Sequence, residues 1–86
     1  MPKSVSFLVL DDHPVFRQGL GALIRSDERY EVSAEVGTPE EALQALERGV
    51  PDIALVDISL PGHNGLDLVK TLKAAHPGML VLIISM

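Results

Sequence analysis

The chain has 86 residues, enough for one small domain around one core, and its lack of cysteine excludes a disulfide framework or a thiolate metal site. Twelve acidic side chains against seven basic ones give a formal net charge of −5, which argues against a bare phosphate-backbone binder, and 3% aromatics offer no stacking platform for single-stranded nucleic acid. At 47% apolar, with no apolar run near 18 residues and no basic-then-apolar leader, the chain is expected to be a soluble cytoplasmic protein that does not engage membranes.

In chain order, Val5-Ser6-Phe7-Leu8-Val9-Leu10 is a strand running straight into Asp11-Asp12. Pro14 opens a helix to about Ser26, with Val15, Phe16, Gly19, Leu20, Leu23 and Ile24 on one face and Arg17, Gln18 and Arg25 outward. Residues 30–36 alternate Val32, Ala34, Val36 against Glu31, Ser33, Glu35, the pattern of a half-exposed edge strand. Thr38-Pro39-Glu40-Glu41 starts a second helix with an N-cap, a first-position proline and a capping box. Ala42, Leu43, Ala45 and Leu46 form its buried stripe, and Gly49 is expected to end it as a left-handed cap. Residues 52–57 (Asp-Ile-Ala-Leu-Val-Asp) read as a strand buried on both faces that ends in a carboxylate, with a Pro61-Gly62 turn beyond. Asn64 caps a third helix, from Gly65 to about His76, with Leu66, Leu68, Val69, Leu72 and Ala75 as apolar positions. Gly62 and Gly65 read as conformationally permissive turn residues. After the His76-Pro77-Gly78 break, residues 79–85 form a fourth strand, apolar on both faces as far as Ile84.

The order βαβαβαβ implies an α/β fold with a parallel sheet and right-handed crossovers. The polar second strand belongs at an edge and the apolar first, third and fourth inside, which a sheet order 2-1-3-4 satisfies. That order sets the carboxyl ends of strands one and three side by side, where open α/β sheets carry their chemistry, so Asp11, Asp12 and Asp57 should meet. Two like charges about 4 Å apart cost roughly 4 kcal/mol at an effective dielectric of about 20. A proton or a hard divalent cation is the natural remedy, and oxygen ligands suit Mg2+.

Three stretches together resemble the receiver domain of bacterial response regulators. They are Leu10-Asp11-Asp12-His13-Pro14-Val15-Phe16-Arg17, Leu55 through Asp57 to Ser59-Leu60-Pro61-Gly62-His63-Asn64-Gly65, and Ile83-Ile84-Ser85. The Asp-Asp-His-Pro-Val-Phe-Arg form is similar to the NarL/FixJ subgroup. The resemblance implies a flavodoxin-like three-layer fold, whose sheet order is the one deduced above, so the two are not independent. It also implies that Asp57 is the phosphoacceptor of a sensor histidine kinase. Asp12 would ligate Mg2+ directly, Asp11 mainly through water, and the Ser59 backbone carbonyl would be a further ligand. Ser85 would hydrogen-bond a phosphoryl oxygen and change position when it arrives. Such a domain is a switch that takes part in its own phosphorylation rather than a turnover enzyme, and in this subgroup it usually regulates transcription through a helix-turn-helix DNA-binding domain, absent here.

The chain departs from that family in one large respect. The family's fifth strand ends in a lysine that pairs with the phosphoryl group, and Lys3, Lys70 and Lys73 cannot match it. Residues 1–86 therefore read as a single receiver domain lacking the last helix, strand and helix. Two other readings compete: an Mg2+-dependent phosphohydrolase with an Asp nucleophile, disfavoured because Ser59 stands where such enzymes carry a second Asp, and a non-phosphorylated pseudo-receiver used for protein contacts. His13, next to two aspartates, invites a metal-ligand or general-base reading but reads more simply as the start of the first helix; His63 and His76 read as turn residues, and Arg17, Lys70 and Lys73 as solvated helix positions. The fourth strand carries no charge to blunt an open edge, so the chain is expected to form homo-oligomers.

Overall fold

In the computed structural model, which describes residues 4–59 and 64–84, β1 (Val5–Leu10) lies between two parallel neighbours. The remaining elements are α1 (Pro14–Arg25), β2 (Tyr30–Val36), α2 (Pro39–Arg48), β3 (Ile53–Asp57), α3 (Gly65–Ala75) and β4 (Leu80–Ile84). The sheet is four-stranded and parallel, in the order β2-β1-β3-β4.

Strand alternation divides the core into two layers. Leu8 and Leu10 of β1 and Ala54 and Val56 of β3 point to one face, where Ala42 and Leu46 of α2, Leu68 and Leu72 of α3, and Met79 cover them. Phe7, Val9 and Leu55 point to the other, where Ile24 of α1 is the buried helix contact, supported by the partly buried Leu20. This makes the three layers of the flavodoxin-like fold.

The second layer is thin. Ile24 is buried, but Val15 is 84% and Leu23 70% exposed, so the six-residue apolar face expected for α1 is covered only in part. The reason is geometric: α1 sits over β1 and β2, and no other described helix flanks it on that side of the sheet. Gly21, not singled out from sequence, is buried because a Cβ there would collide with the Glu35 carboxylate, which pairs with Arg25 at 2.8 Å.

A bulge in β2 corrects the alternation read from the sequence. Phe7 pairs with Val32 and Leu8 with Ala34, leaving Ser33 as an extra residue whose hydroxyl donates to the Phe7 carbonyl (3.1 Å). One extra residue reverses the faces downstream. Val32 therefore packs with the α1 layer, while Ala34 and Val36 pack with α2 and α3.

Helix ends follow their local chemistry with three departures. Thr38 Oγ1 accepts from the Glu41 N–H (3.2 Å), but the Glu41 carboxylate returns to the Gly37 N–H (3.0 Å) and the Thr38 hydroxyl, so the reciprocal half of the capping box is displaced by one residue. Gly49 is extended (φ 165°, ψ 138°) rather than left-handed, and its N–H closes a tight last turn onto the Leu46 carbonyl (3.3 Å). Gly65 is required by close approach: a Cβ would stand 2.8 Å from the Ile58 carbonyl oxygen. Asn64 does cap α3, its Oδ1 accepting from the N–H groups of Leu66 and Asp67. Gly62 and His63 lie outside the described residues.

Helix exposure corrects two further expectations. Leu43, Leu66 and Ala75 face solvent, because the helix surface turned to the sheet is narrowed to Ala42 and Leu46 in α2 and to Leu68 and Leu72 in α3. Lys73 is not simply solvated: its ammonium donates to the carbonyls of Pro77 (3.1 Å) and Met79 (2.8 Å), tying the end of α3 to the start of β4. Between α1 and β2, Arg29 grips Asp27 (2.7 Å) and lowers its carboxyl pKa to about 2.

The fourth strand is an edge rather than an interior strand among the described residues. It pairs only with β3, and Leu80, Leu82 and Ile83 are each more than two-fifths exposed.

Leu72 is wholly buried and Leu66 is more than half exposed on the same helix. Leu72→Ala should cost about 2–5 kcal/mol of unfolding free energy. Leu66→Ala should cost less than about 1 kcal/mol. Urea denaturation of the two variants checks the difference, and equal losses would contradict this assignment of the α3 face.

Candidate functional site

The acidic residues meet because the strands are in register. Leu10 pairs with Val56, so the residues that follow, Asp11 and Asp57, emerge side by side at the carboxyl edge of the sheet. The Asp11 N–H extends the ladder by donating to the Val36 carbonyl (3.0 Å). Both side chains are essentially excluded from solvent, while Asp12 is partly exposed at the rim.

Each strand-end aspartate is held by a turn of its own. Asp11 Oδ1 accepts from the His13 N–H at 2.7 Å, and Asp57 Oδ1 accepts from the Ser59 N–H at 2.9 Å and the Ser59 hydroxyl at 2.7 Å. These two-residue loops are Asx-type turns, in which a carboxylate captures a backbone donor two positions on. They fix the plane of each carboxylate through one oxygen and leave the other free. Asp11 Oδ2, Asp57 Oδ2 and Asp12 Oδ1 are all buried and accept no hydrogen bond.

Unpaired buried carboxylate oxygens are costly unless something positive joins them. Among the described residues the nearby cation is His13. Its Nδ1 lies 3.0 Å from Asp11 Oδ1, 3.1 Å from Asp12 Oδ1 and 3.8 Å from Asp57 Oδ2. The hydrogen bond to Asp11, then the charge of Asp12, raises the imidazole pKa above its usual value. Asp12 Oδ1 falls within ion-pair distance yet accepts no hydrogen bond. One imidazole, even when protonated, can match only one of three carboxylates.

Asp11, Asp12, His13 and Asp57 each offer a ligand atom, and these atoms lie within 4.8 Å of one another. The open oxygens and their spacing fit a small divalent cation with oxygen ligands.

The three aspartates expected from the sequence are therefore together. Ser59 is beside Asp57, but through its N–H and hydroxyl; Ser85 lies outside the described residues. Two nearby residues go beyond their simplest sequence reading. His13 does precede α1, yet its ring turns into the carboxylates instead of capping the helix. Arg17, expected on a solvated face, donates from Nη1 to the Asp11 backbone carbonyl (2.7 Å) and clamps the end of β1 to the first turn of α1. The adjacency of His13 to Asp11 and Asp12 was the available signal for the first; nothing in the pattern marked the second. A separate cavity of about 150 Å3 lies between α2 and β2, lined by Leu8, Ser33, Ala34, Ala45, Arg48 and Gly49, and includes none of the acidic residues.

The response regulator receiver domain matches residues 7–86 of this chain. A nitrate/nitrite response regulator homolog from Haemophilus influenzae is 32% identical over 85 residues, which are 99% of this chain and 41% of that protein. A protein-glutamate methylesterase/protein-glutamine glutaminase from Paramagnetospirillum magneticum is 40% identical over 83 residues, 96% of this chain and 24% of that protein. The chain thus spans between a quarter and two-fifths of the length of these relatives. The signal receiver domain of the response regulator NarL from Mycobacterium tuberculosis superposes with a TM-score of 0.87 at 31% identity, over 98% of this chain and 68% of that one. With the acidic edge, the parallel 2-1-3-4 sheet and this match over nearly its whole length, the chain belongs to the response regulator receiver domain family.

Proposed function

We propose that this chain is a phosphoacceptor switch in which Asp57 takes a phosphoryl group from a sensor histidine kinase. The observation that carries the reading is the state of the Asp57 carboxylate: one oxygen is fixed by Ser59, and the other is buried, unpartnered and turned toward the open oxygens of Asp11 and Asp12. A carboxylate oxygen would attack the phosphorus of a phosphohistidine, the P–N bond would break, and the imidazole would leave with a proton, giving an acyl phosphate on Asp57. Asp12 would hold Mg2+ directly, Asp11 mainly through water, and Asp57 and the Ser59 carbonyl would complete the set. The ion supplies neutralisation of the charge that develops on the transferring phosphoryl oxygens. Ser59 orients the acceptor before the donor arrives, and Arg17 and the Asp11 turn hold the neighbouring carboxylate still. Ser85 would donate its hydroxyl to a phosphoryl oxygen.

The family's lysine has no counterpart among the described residues, where Lys73 is committed to the end of α3 and Lys70 is exposed on that helix. A regulator of transcription acting through a separate DNA-binding domain is the output we favour, in the cytoplasm. The Haemophilus regulator and the Mycobacterium tuberculosis transcriptional activator DevR/DosR, 35% identical over 81 residues, support it. The methylesterases, at up to 40% identity, support a second reading in which the same switch controls an esterase.

Incubation with acetyl phosphate and Mg2+ should add a single phosphoryl mass at Asp57, detectable by intact-protein and peptide mass spectrometry. Asp57→Asn should abolish the label, and a label that persists in that variant would overturn the assignment.

His13 provides a reading independent of phosphorylation. Its pKa in the folded metal-free protein is raised above 6.5, so its contribution to stability is full below that value and is lost as pH rises through the folded value. Mg2+ at the same carboxylates should repel the imidazolium and lower its pKa. Imidazole resonances followed against pH with and without Mg2+ check this, and an unmoved titration would sink the magnesium reading.

The open edge of β4, with its exposed Leu80, Leu82 and Ile83, supports self-association through pairing with a second copy. Sedimentation at micromolar concentration should show dimers or larger species, and a monomer with sharp, dispersed amide resonances would refute it.

A further inference from the structure

The acidic pocket contains one group that an all-oxygen magnesium site does not call for. His13 stands at the N-cap of α1 with extended backbone (φ −98°, ψ 103°), and its side chain makes no capping bond. The ring instead brings Nδ1 to 3.0, 3.1 and 3.8 Å from carboxylate oxygens of Asp11, Asp12 and Asp57. Donors bound to one ion at about 2.0–2.2 Å stand some 3–4 Å apart, so the spacing that now serves a hydrogen bond and ion pairs also suits this nitrogen as a donor to an ion shared with the carboxylates. Asp11 Oδ2 and Asp57 Oδ2 belong to side chains that are 0% and 1% exposed, and neither accepts a hydrogen bond. The His13 side chain is half exposed, so when Nδ1 binds an ion the remaining ring proton can reside on Nε2 toward water.

We propose that His13 Nδ1 is a ligand in this pocket and gives it a preference for an imidazole-accepting divalent ion such as Zn2+ over Mg2+. The inference rests on reading the acidic pocket as a metal site and adds to it the identity of the fourth donor. Mg2+ is hard, holds its water and gains little from an imidazole nitrogen, whereas Zn2+ takes nitrogen and carboxylate ligands together. The nitrogen should therefore act on selectivity rather than on binding in general. Loss of His13 should leave the Asp11 turn intact, because the donor in that turn is the His13 backbone N–H.

The test is titration of the chain with Zn2+ and with Mg2+ at neutral pH, by calorimetry and by 15N-resolved imidazole and amide spectra, in the natural sequence, His13→Ala, His13→Asn and Asp57→Asn. On this proposal Zn2+ shifts the His13 Nδ1 resonance together with amides of residues 11–13 and 57–59. Both His13 variants should weaken Zn2+ at least about tenfold, while Mg2+ affinity should hold or rise, since the competing imidazolium is gone. Equal Zn2+ affinity with and without His13, with the same amides responding, would overturn the ligand role while leaving the metal pocket standing. No response of those amides to either ion would overturn the pocket reading and this inference with it. Zn2+ binding that is unchanged in Asp57→Asn would place the ion elsewhere and likewise overturn it.

Discussion

The structure turns on placing buried carboxylates at adjacent strand ends. Parallel pairing of β1 with β3 in the register Leu10 to Val56 makes Asp11 and Asp57 neighbours, and both are shut away from water by the layers that bury the strands themselves. Like charges about 4 Å apart repel by roughly 4 kcal/mol at an effective dielectric of about 20. The fold tolerates them because Asp11 and Asp57 each have one oxygen satisfied locally and because the His13 imidazole, whose pKa they raise, lies against them at the rim. What remains unsatisfied is concentrated on three oxygens facing one another, which is where binding energy for an incoming cation resides.

Rigidity around the site comes from short-range devices. The Asx turns at Asp11 and Asp57 set the carboxylate planes, Arg17 ties the β1 carbonyl to α1, and Gly65 lets α3 begin hard against Ile58 in the chain leaving β3. Each acts within a few residues of the site, and only the first turn of α1 takes part. That side and the β4 edge are where the apolar surface is left open, with Val15, Leu23, Leu80, Leu82 and Ile83 all exposed. The domain is thus stiff where charge must be held and incompletely covered where contacts with other chains or segments can form.

Much of the architecture was legible in the sequence because its causes are local or periodic. Apolar runs ended by aspartates marked the strands, Thr38-Pro39 and Asn64 marked two helix starts, and the polar character of residues 30–36 placed β2 at an edge. Connection length and handedness then leave few sheet orders, and the order with the switch point between β1 and β3 brings Asp11, Asp12 and Asp57 together. Convergence of the acidic residues therefore followed from a sheet order that pattern and topology satisfy and that the family resemblance also implies.

The tertiary structure decided what depends on space. The Ser33 bulge reverses the faces of β2, an event invisible to a period of two because one unpaired residue leaves the letters unchanged. Gly49 takes an extended backbone because the chain must leave α2 toward β3, and Lys73 finds carbonyl acceptors only once α3 and β4 are packed. His13 and Arg17 look like ordinary residues at the start of a helix until the turn after β1 aims one ring at the carboxylates and one guanidinium at a backbone oxygen. Sequence determined which residues carry charge and which strand ends they close. Tertiary packing decided which of their atoms are left without a partner, because that depends on the direction of each lone pair and on which neighbours reach it first.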